Sequence, residues 1–127
     1  MRLDGKRILV AEDEERLVRL LVQILEAEGA EVLHADNGED AFSAATTGKP
    51  DLVIMDLYMP TLDGFGAIES LRMVMMDRPI LVLSGYSTDE NRRRAEAAGA
   101  SACLDKPFHR NDLLRVVCEL LEDPDLG

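Results

Sequence analysis

Asp56 closes the apolar run LVIMD and is followed at once by LYMPTLDG, a loop opening rather than a helix start. A strand here delivers a carboxylate to a mouth. The chain does the same at its beginning, where RILVAED ends in Glu12 and Asp13, and again late, where ACLDKP ends near Lys106. Three ionised carboxylates about 4 Å apart would repel by about 4 kcal/mol per pair at an effective dielectric near 20, or roughly 12 kcal/mol for three pairs. A domain stable by about 5 to 15 kcal/mol cannot leave that uncompensated, so a proton or a cation must enter. Lys106 alone looks insufficient. A hard divalent ion with oxygen ligands suits such a site, and Mg²⁺ is the natural choice because it takes one or two carboxylates, waters and a phosphate oxygen together. With its charge shared in that way, an Asp56 oxygen can approach a phosphorus atom as a nucleophile.

The elements that must position these residues follow from hydrophobic patterning. Short β-rich runs, ILVA (8–11), EVLHA (31–35), LVIM (52–55), ILVLS (80–84) and ACL (102–104), alternate with helical patterns, which predicts a parallel sheet with helices on both faces. The first, third and fourth runs are apolar almost throughout, as strands covered on both faces must be, while EVLHA is mixed and predicts an edge strand. Leu17, Leu20, Leu21, Ile24 and Leu25 recur at helical spacing, as do Phe65, Ile68, Leu71 and Met75, and then Leu113, Leu114, Val117, Leu120 and Leu121; all are expected to face the core. Asn37 predicts an N-cap for a helix over 38–47, and Ser87 with Glu90 has capping-box spacing. Gly29, Gly48 and Gly99 sit where helices should stop. In an open parallel sheet, ligands sit outside the carboxyl ends of the strands, and the residues there are Glu12, Asp13, Asp56, Ser84 and Lys106.

With 127 residues, 46% hydrophobic and 31% charged, the chain reads as one domain, 1–127, with a core over 5–122 and a tail over 123–127 that is either a frayed end or the start of a linker. The net charge of −11, from 25 acids against 14 bases, argues against direct binding of nucleic acid. No apolar run approaches the roughly 18 residues of a membrane span and the N-terminus lacks a secretory pattern, so a cytoplasmic location and no membrane partner are expected. Cys103 and Cys118 have no CxxC spacing and read as reduced, packed thiols. His34 and His109 lack a second ligand at useful spacing and read as structural or solvated. The run Arg92–Arg94 turns through about 100° per residue and reads as solvated helix surface.

ILVAEDE, DLVIMDLYMPTLDG, LVLSG and LDKPF, in that order and after strands one, three, four and five, resemble the motif set of the response-regulator receiver domain of two-component signalling, over nearly the whole chain. The resemblance implies a flavodoxin-like (βα)5 fold, a doubly wound five-stranded parallel sheet of order 2-1-3-4-5; the chemotaxis regulator is a standard example of that order. By position, it implies that Asp56 accepts a phosphoryl group from a histidine kinase or a phosphotransfer protein. Asp13 and the Tyr58 backbone carbonyl would hold Mg²⁺, with Glu12 assisting through water. Lys106 would pair with the phosphoryl oxygens, Ser84 would hydrogen-bond them, Gly85 fills the small-residue position, and Pro107 would follow a cis peptide. The readout would be a downstream protein or a covalently linked output domain, on a surface that includes Arg92, Cys103 and Arg110.

Three departures accompany the resemblance. Cys103 stands where the family usually places a switching aromatic, which puts the usual hydroxyl-to-aromatic coupling in doubt. Glu12 replaces the commoner aspartate and reaches one methylene further. Tyr58 and Tyr86 flank the site and are expected to slow hydrolysis of a phosphoaspartate; an unchanged half-life after replacement by Asn and Ala would remove that idea. Duller readings stand beside the chemical ones: Asp13 as an N-cap of the next helix, Ser84–Gly85 as a plain turn, and Asp63–Gly64 as a loop former that starts the third helix. Among functions, a phosphorylation-controlled switch leads. A receiver-shaped interaction module without phosphate chemistry is the alternative. A Mg²⁺-dependent aspartyl phosphatase is disfavoured because Tyr58 stands where such an enzyme wants a second acid.

Overall fold

A computed structural model of the chain describes residues 2–57, 64–85 and 88–122. Five strands alternate with five helices: β1 Arg7–Ala11, α1 Glu15–Ala27, β2 Glu31–Ala35, α2 Gly38–Gly48, β3 Leu52–Asp56, α3 Gly64–Met75, β4 Ile80–Ser84, α4 Asp89–Ala98, β5 Ala102–Asp105 and α5 Arg110–Leu121. The strands form one sheet in the order β2-β1-β3-β4-β5, parallel at every pairing. The mixed run EVLHA lies at an edge, as its polarity requires. Among the described residues no helix is long and apolar enough to cross a membrane.

Side chains alternate across the sheet, and the two cores follow that alternation. Leu9, Ala11, Val53, Met55, Ile80 and Val82 enter one core, closed by residues of α2, α3 and α4 such as Ala41, Ile68 and Ala95. Ile8, Val10, Leu52, Ile54, Leu81 and Leu83 enter the other, closed by Leu21, Ile24 and Leu25 of α1 and Leu113, Leu114 and Val117 of α5. The apolar strand runs are therefore buried on both faces. Extending the parity beyond the strand ends puts Glu12, Asp56 and Lys106 on the α1/α5 side, and Ser84 with Val82 on the α4 side.

Local chemistry sets the helix ends. Asn37 caps α2 by accepting from the Asp40 N–H at 2.8 Å. The cap of α4 is Thr88, which accepts from the Asn91 N–H, one residue later than the Ser87 and Glu90 spacing predicts. Neighbouring hydroxyl residues compete for this role, and with Thr88 as cap Asp89 and Glu90 both fall in the first turn, at the positive end of the helix. Gly99 closes α4 at φ 126°. The left-handed residue after α2 is Lys49, not Gly48. Gly48 is small for another reason: a Cβ there would lie 2.7 Å from Leu33 Cδ1.

One expectation about helix faces changes. Leu20 is 45% exposed, because the buried stripe of α1 runs through Leu21, Ile24 and Leu25 and leaves Leu20 at its margin. There it lines a groove of about 290 Å³ with Leu17, Lys106, Pro107 and Phe108. The arginines of α4 are exposed, as expected, and two of them also make surface contacts: Arg92 reaches both carboxylate oxygens of Asp105 at 3.0 and 3.2 Å, and Arg94 lies over the Phe65 ring at 4.0 Å. No periodicity marks Arg72, yet its guanidinium donates to the carbonyls of Gly99, Met76 and Arg78 and to the Ser101 hydroxyl. It ties the end of α3 to the end of α4.

Candidate functional site

The carboxyl ends of β1, β3 and β5 bring Glu12, Asp13, Asp56 and Lys106 together. Glu12 follows Ala11 and is 1% exposed; Asp56, the last residue of β3, is 7% exposed. Lys106 follows β5, and its Nζ donates to Asp56 Oδ2 at 2.8 Å and to Glu12 Oε1 at 3.3 Å. The other Glu12 oxygen accepts from the Asp13 N–H at 2.9 Å. One carboxylate oxygen from each of Glu12, Asp13 and Asp56 lies within 4.8 Å of the others, close to the spacing the repulsion argument assumes.

Asp13 does not cap the next helix. The N-cap position is Glu14 and α1 begins at Glu15, so the exposed Asp13 carboxylate stands at the mouth. Ser84 ends β4, 6% exposed, beside the strand that carries Asp56, and its carbonyl accepts from the Lys106 N–H at 2.8 Å. Among the described residues, a methyl group at Gly85 would meet nothing within 4 Å. The Lys106–Pro107 peptide is cis. Tyr58, Asp63, Tyr86 and Ser87 lie outside the described residues, and with them the backbone carbonyl expected to complete the metal site.

Crowding acids under a lysine shifts the titration of Glu12 and of the lysine itself. Burial, and then the charge of Asp56, push the Glu12 carboxyl up to about 7 against the pull of Lys106. Burial works against the charge on Lys106, but its hydrogen bond and charge pairing with Asp56, and then with Glu12, outweigh it and raise its pKa above the ordinary value. The repulsion is thus met by the ammonium of Lys106 and by a Glu12 carboxyl that holds its proton more tightly than usual. An all-oxygen donor set of this charge fits a hard cation such as Mg²⁺.

One residue that shapes the site is less legible in the sequence. A Cβ on Gly64 would collide with the carbonyl oxygen of Leu57, so only glycine lets α3 start against the residue that follows Asp56. Its position in LDGF marks a loop former but not this contact. Cys103, a free thiol, borders a void of only about 10 Å³ together with Leu57, Val82, Ser84 and Ala95. Among the described residues, no aromatic-sized space is left behind Ser84. Burial, and then Glu96, push the Cys103 pKa up, which keeps it a protonated, poorly nucleophilic thiol.

Comparison with known proteins agrees with this geometry. The family model described as the response regulator receiver domain matches residues 8–118. The chain is 39% identical over 123 residues to the alkaline phosphatase synthesis transcriptional regulatory protein PhoP of Bacillus subtilis, covering 97% of this chain and 51% of that protein; it spans about half the length of the curated relatives it matches. Among solved structures, the chemotaxis protein CheY4 of Vibrio cholerae superposes with a TM-score of 0.87 at 29% identity, over 91% of this chain and 98% of that one. The receiver domain of the sensor histidine kinase PA1611 of Pseudomonas aeruginosa, solved with a magnesium ion coordinated in its active site cleft, gives 0.84 at 28% identity over 92% and 98%. A 2-1-3-4-5 parallel sheet, an acidic cluster under a strand-end lysine and a family match over most of the sequence converge on one conclusion: the chain belongs to the response regulator receiver domain family.

Proposed function

We propose that residues 1–127 form a single phosphoacceptor unit in which Asp56 takes a phosphoryl group, and that the resulting charge switches a partner-binding surface. The observation that carries this is the 2.8 Å contact of Lys106 Nζ with Asp56 Oδ2, inside a group of three carboxylates close enough to share one cation. Lys106 holds one Asp56 oxygen while the other attacks, and its ammonium then sits where a phosphoryl oxygen arrives. The bond formed joins an Asp56 oxygen to phosphorus. The bond broken joins phosphorus to the donor, whose imidazole nitrogen leaves with the electron pair if the donor is a phosphohistidine of a histidine kinase or phosphotransfer protein.

Glu12, Asp13, Asp56 and the Tyr58 carbonyl would hold Mg²⁺, which when bound supplies positive charge that makes a carboxylate approachable by a phosphoryl group. Ser84 would hydrogen-bond a phosphoryl oxygen, with Gly85 leaving room for it. Adding about −1.5 to −2 charges shifts an existing equilibrium between arrangements of the loop after β4. The protein acts as a cytoplasmic switch rather than as a turnover enzyme. Its readout, through a surface that includes Arg92, Cys103 and Arg110, is a downstream protein or a linked output domain.

Incubation with Mg²⁺ and acetyl phosphate, followed by intact mass measurement, tests the reading. One added phosphoryl group is expected, absent in Asp56→Asn and absent without Mg²⁺. No mass gain in the parent protein would leave the interaction-module alternative standing instead.

A further inference from the structure

The Glu12–Asp13 corner is held from a direction that the phosphoryl chemistry does not require. Glu12 carries the buried carboxylate bonded to Lys106, and its side chain also fixes the Asp13 N–H. Its backbone is held by the edge strand β2 through both its N–H and its carbonyl. The Glu12 N–H donates to the Ala35 carbonyl at 3.0 Å, and the Glu12 carbonyl lies 2.9 Å from His34 Nε2. The first contact continues the sheet ladder and is available to any sequence. The second comes from a side chain and is specific to this one.

A carbonyl oxygen only accepts, so His34 must carry its proton on Nε2 to make this bond. The Glu12 carbonyl belongs to the peptide whose N–H is that of Asp13. The imidazole therefore restrains the plane on which the Asp13 carboxylate is mounted. Val18 and Arg19 of α1, with Asp13, Glu15, His34 and Asp36, border an open cavity of about 450 Å³ on the same side, so no packed side chain substitutes for the imidazole there.

We propose that His34 is a positioning residue for the acidic site: its Nε2–H fixes the Glu12–Asp13 peptide and thereby sets where the Asp13 carboxylate stands. This rests on the reading of Glu12 and Asp13 as cation ligands, and groups that orient metal ligands from behind typically change affinity by about 10-fold or more when removed. His34 is exposed and outside both cores, so its replacement leaves the fold intact.

Two variants separate the hydrogen bond from the mere presence of a side chain. His34→Gln retains an N–H donor on a side chain of similar reach; His34→Leu has none. Mg²⁺ affinity is read by calorimetry, and exchange of the Glu12 and Asp13 amides by NMR on the metal-free proteins. His34→Leu is expected to weaken Mg²⁺ binding about tenfold and to speed exchange of the Asp13 amide by a similar factor, with the urea midpoint close to that of the parent. His34→Gln is expected to stay within about threefold of the parent in both. Unchanged amide exchange in His34→Leu, or equal effects in the two variants, overturns the proposal. A parent protein that binds no Mg²⁺ overturns the cation reading and its link to Asp13; the exchange measurement then still shows separately whether the imidazole restrains the peptide.

Discussion

Lys106 Nζ and Asp56 Oδ2 lie 2.8 Å apart although fifty positions separate the two residues in sequence. The contact is mostly enclosed, with the lysine side chain 24% and the aspartate side chain 9% exposed. The net strength of an ion pair so placed is modest, whereas removing one partner strands an uncompensated charge in the interior. In Lys106→Met the acids keep their burial and lose their cation. Metal-free Lys106→Met is expected to lose about 2 kcal/mol at pH 8, less than the 3 to 5 typical of a fully buried pair because this lysine is partly solvated. Urea unfolding with and without Mg²⁺ checks it, and Mg²⁺ should restore more stability in the variant than in the parent. Phosphorylation by acetyl phosphate should fall sharply in the same variant.

Glu12 gives a pH dependence of definite sign. Its carboxyl titrates near 4.5 when unfolded and about 7 when folded, so between those values the folded state holds more protons and this group's contribution to stability falls as pH rises. The span corresponds to up to about 3 kcal/mol. Glu12→Gln removes it, so the variant's stability relative to the metal-free parent should improve steadily from pH 5 to pH 8. A difference that stays flat over that range would contradict the assignment. Mg²⁺ competes with the Glu12 proton, and its binding should therefore release protons near pH 6 and stabilise the parent more at pH 8 than at pH 5.

Arg72→Lys should destabilise the protein without touching the chemistry. The guanidinium serves three carbonyls and a hydroxyl at distances from 2.6 to 3.2 Å, and a single ammonium cannot span them. A loss of about 2 to 3 kcal/mol is expected in urea unfolding. The rate of phosphorylation from acetyl phosphate should stay within about twofold of the parent's below the unfolding transition.

Gly64→Ala and Gly85→Ala form a contrasting pair. The added carbon would run into the Leu57 carbonyl oxygen in the first and, among the described residues, meet nothing within 4 Å in the second. Overpacking against backbone should cost about 1 to 3 kcal/mol at Gly64 and slow phosphorylation, because Leu57 is the neighbour of Asp56. At Gly85 the stability change should stay within about 0.5 kcal/mol. Thermal melts and acetyl phosphate kinetics on both variants provide the comparison.

The strand-end residues were legible because two regularities act together. Apolar runs of strand length stop abruptly, and the acid or lysine that stops each must leave the core at the same rim. Asp56, Glu12, Asp13 and Lys106 all follow from that. Leu20 did not, because helical spacing marks a stripe but not its width, and a residue at the margin satisfies the pattern while staying open. Thr88 did not displace Ser87 because adjacent hydroxyl residues have the same capping chemistry. Gly64, Arg72 and the His34 bond depend on which backbone carbonyl comes near which side chain. Spacing along one chain carries no record of such cross-chain distances.

Strand alternation sends Glu12, Asp56 and Lys106 toward the α1/α5 core and Ser84 and Cys103 toward the α4 core. The proposed phosphoacceptor and its lysine thus lie on one side of the sheet, while Ser84, proposed to bind the phosphoryl group, lies on the side of α4. Substitutions around Arg92, Asp105 and Cys103 therefore leave the acids and the lysine on the other side of the sheet in place.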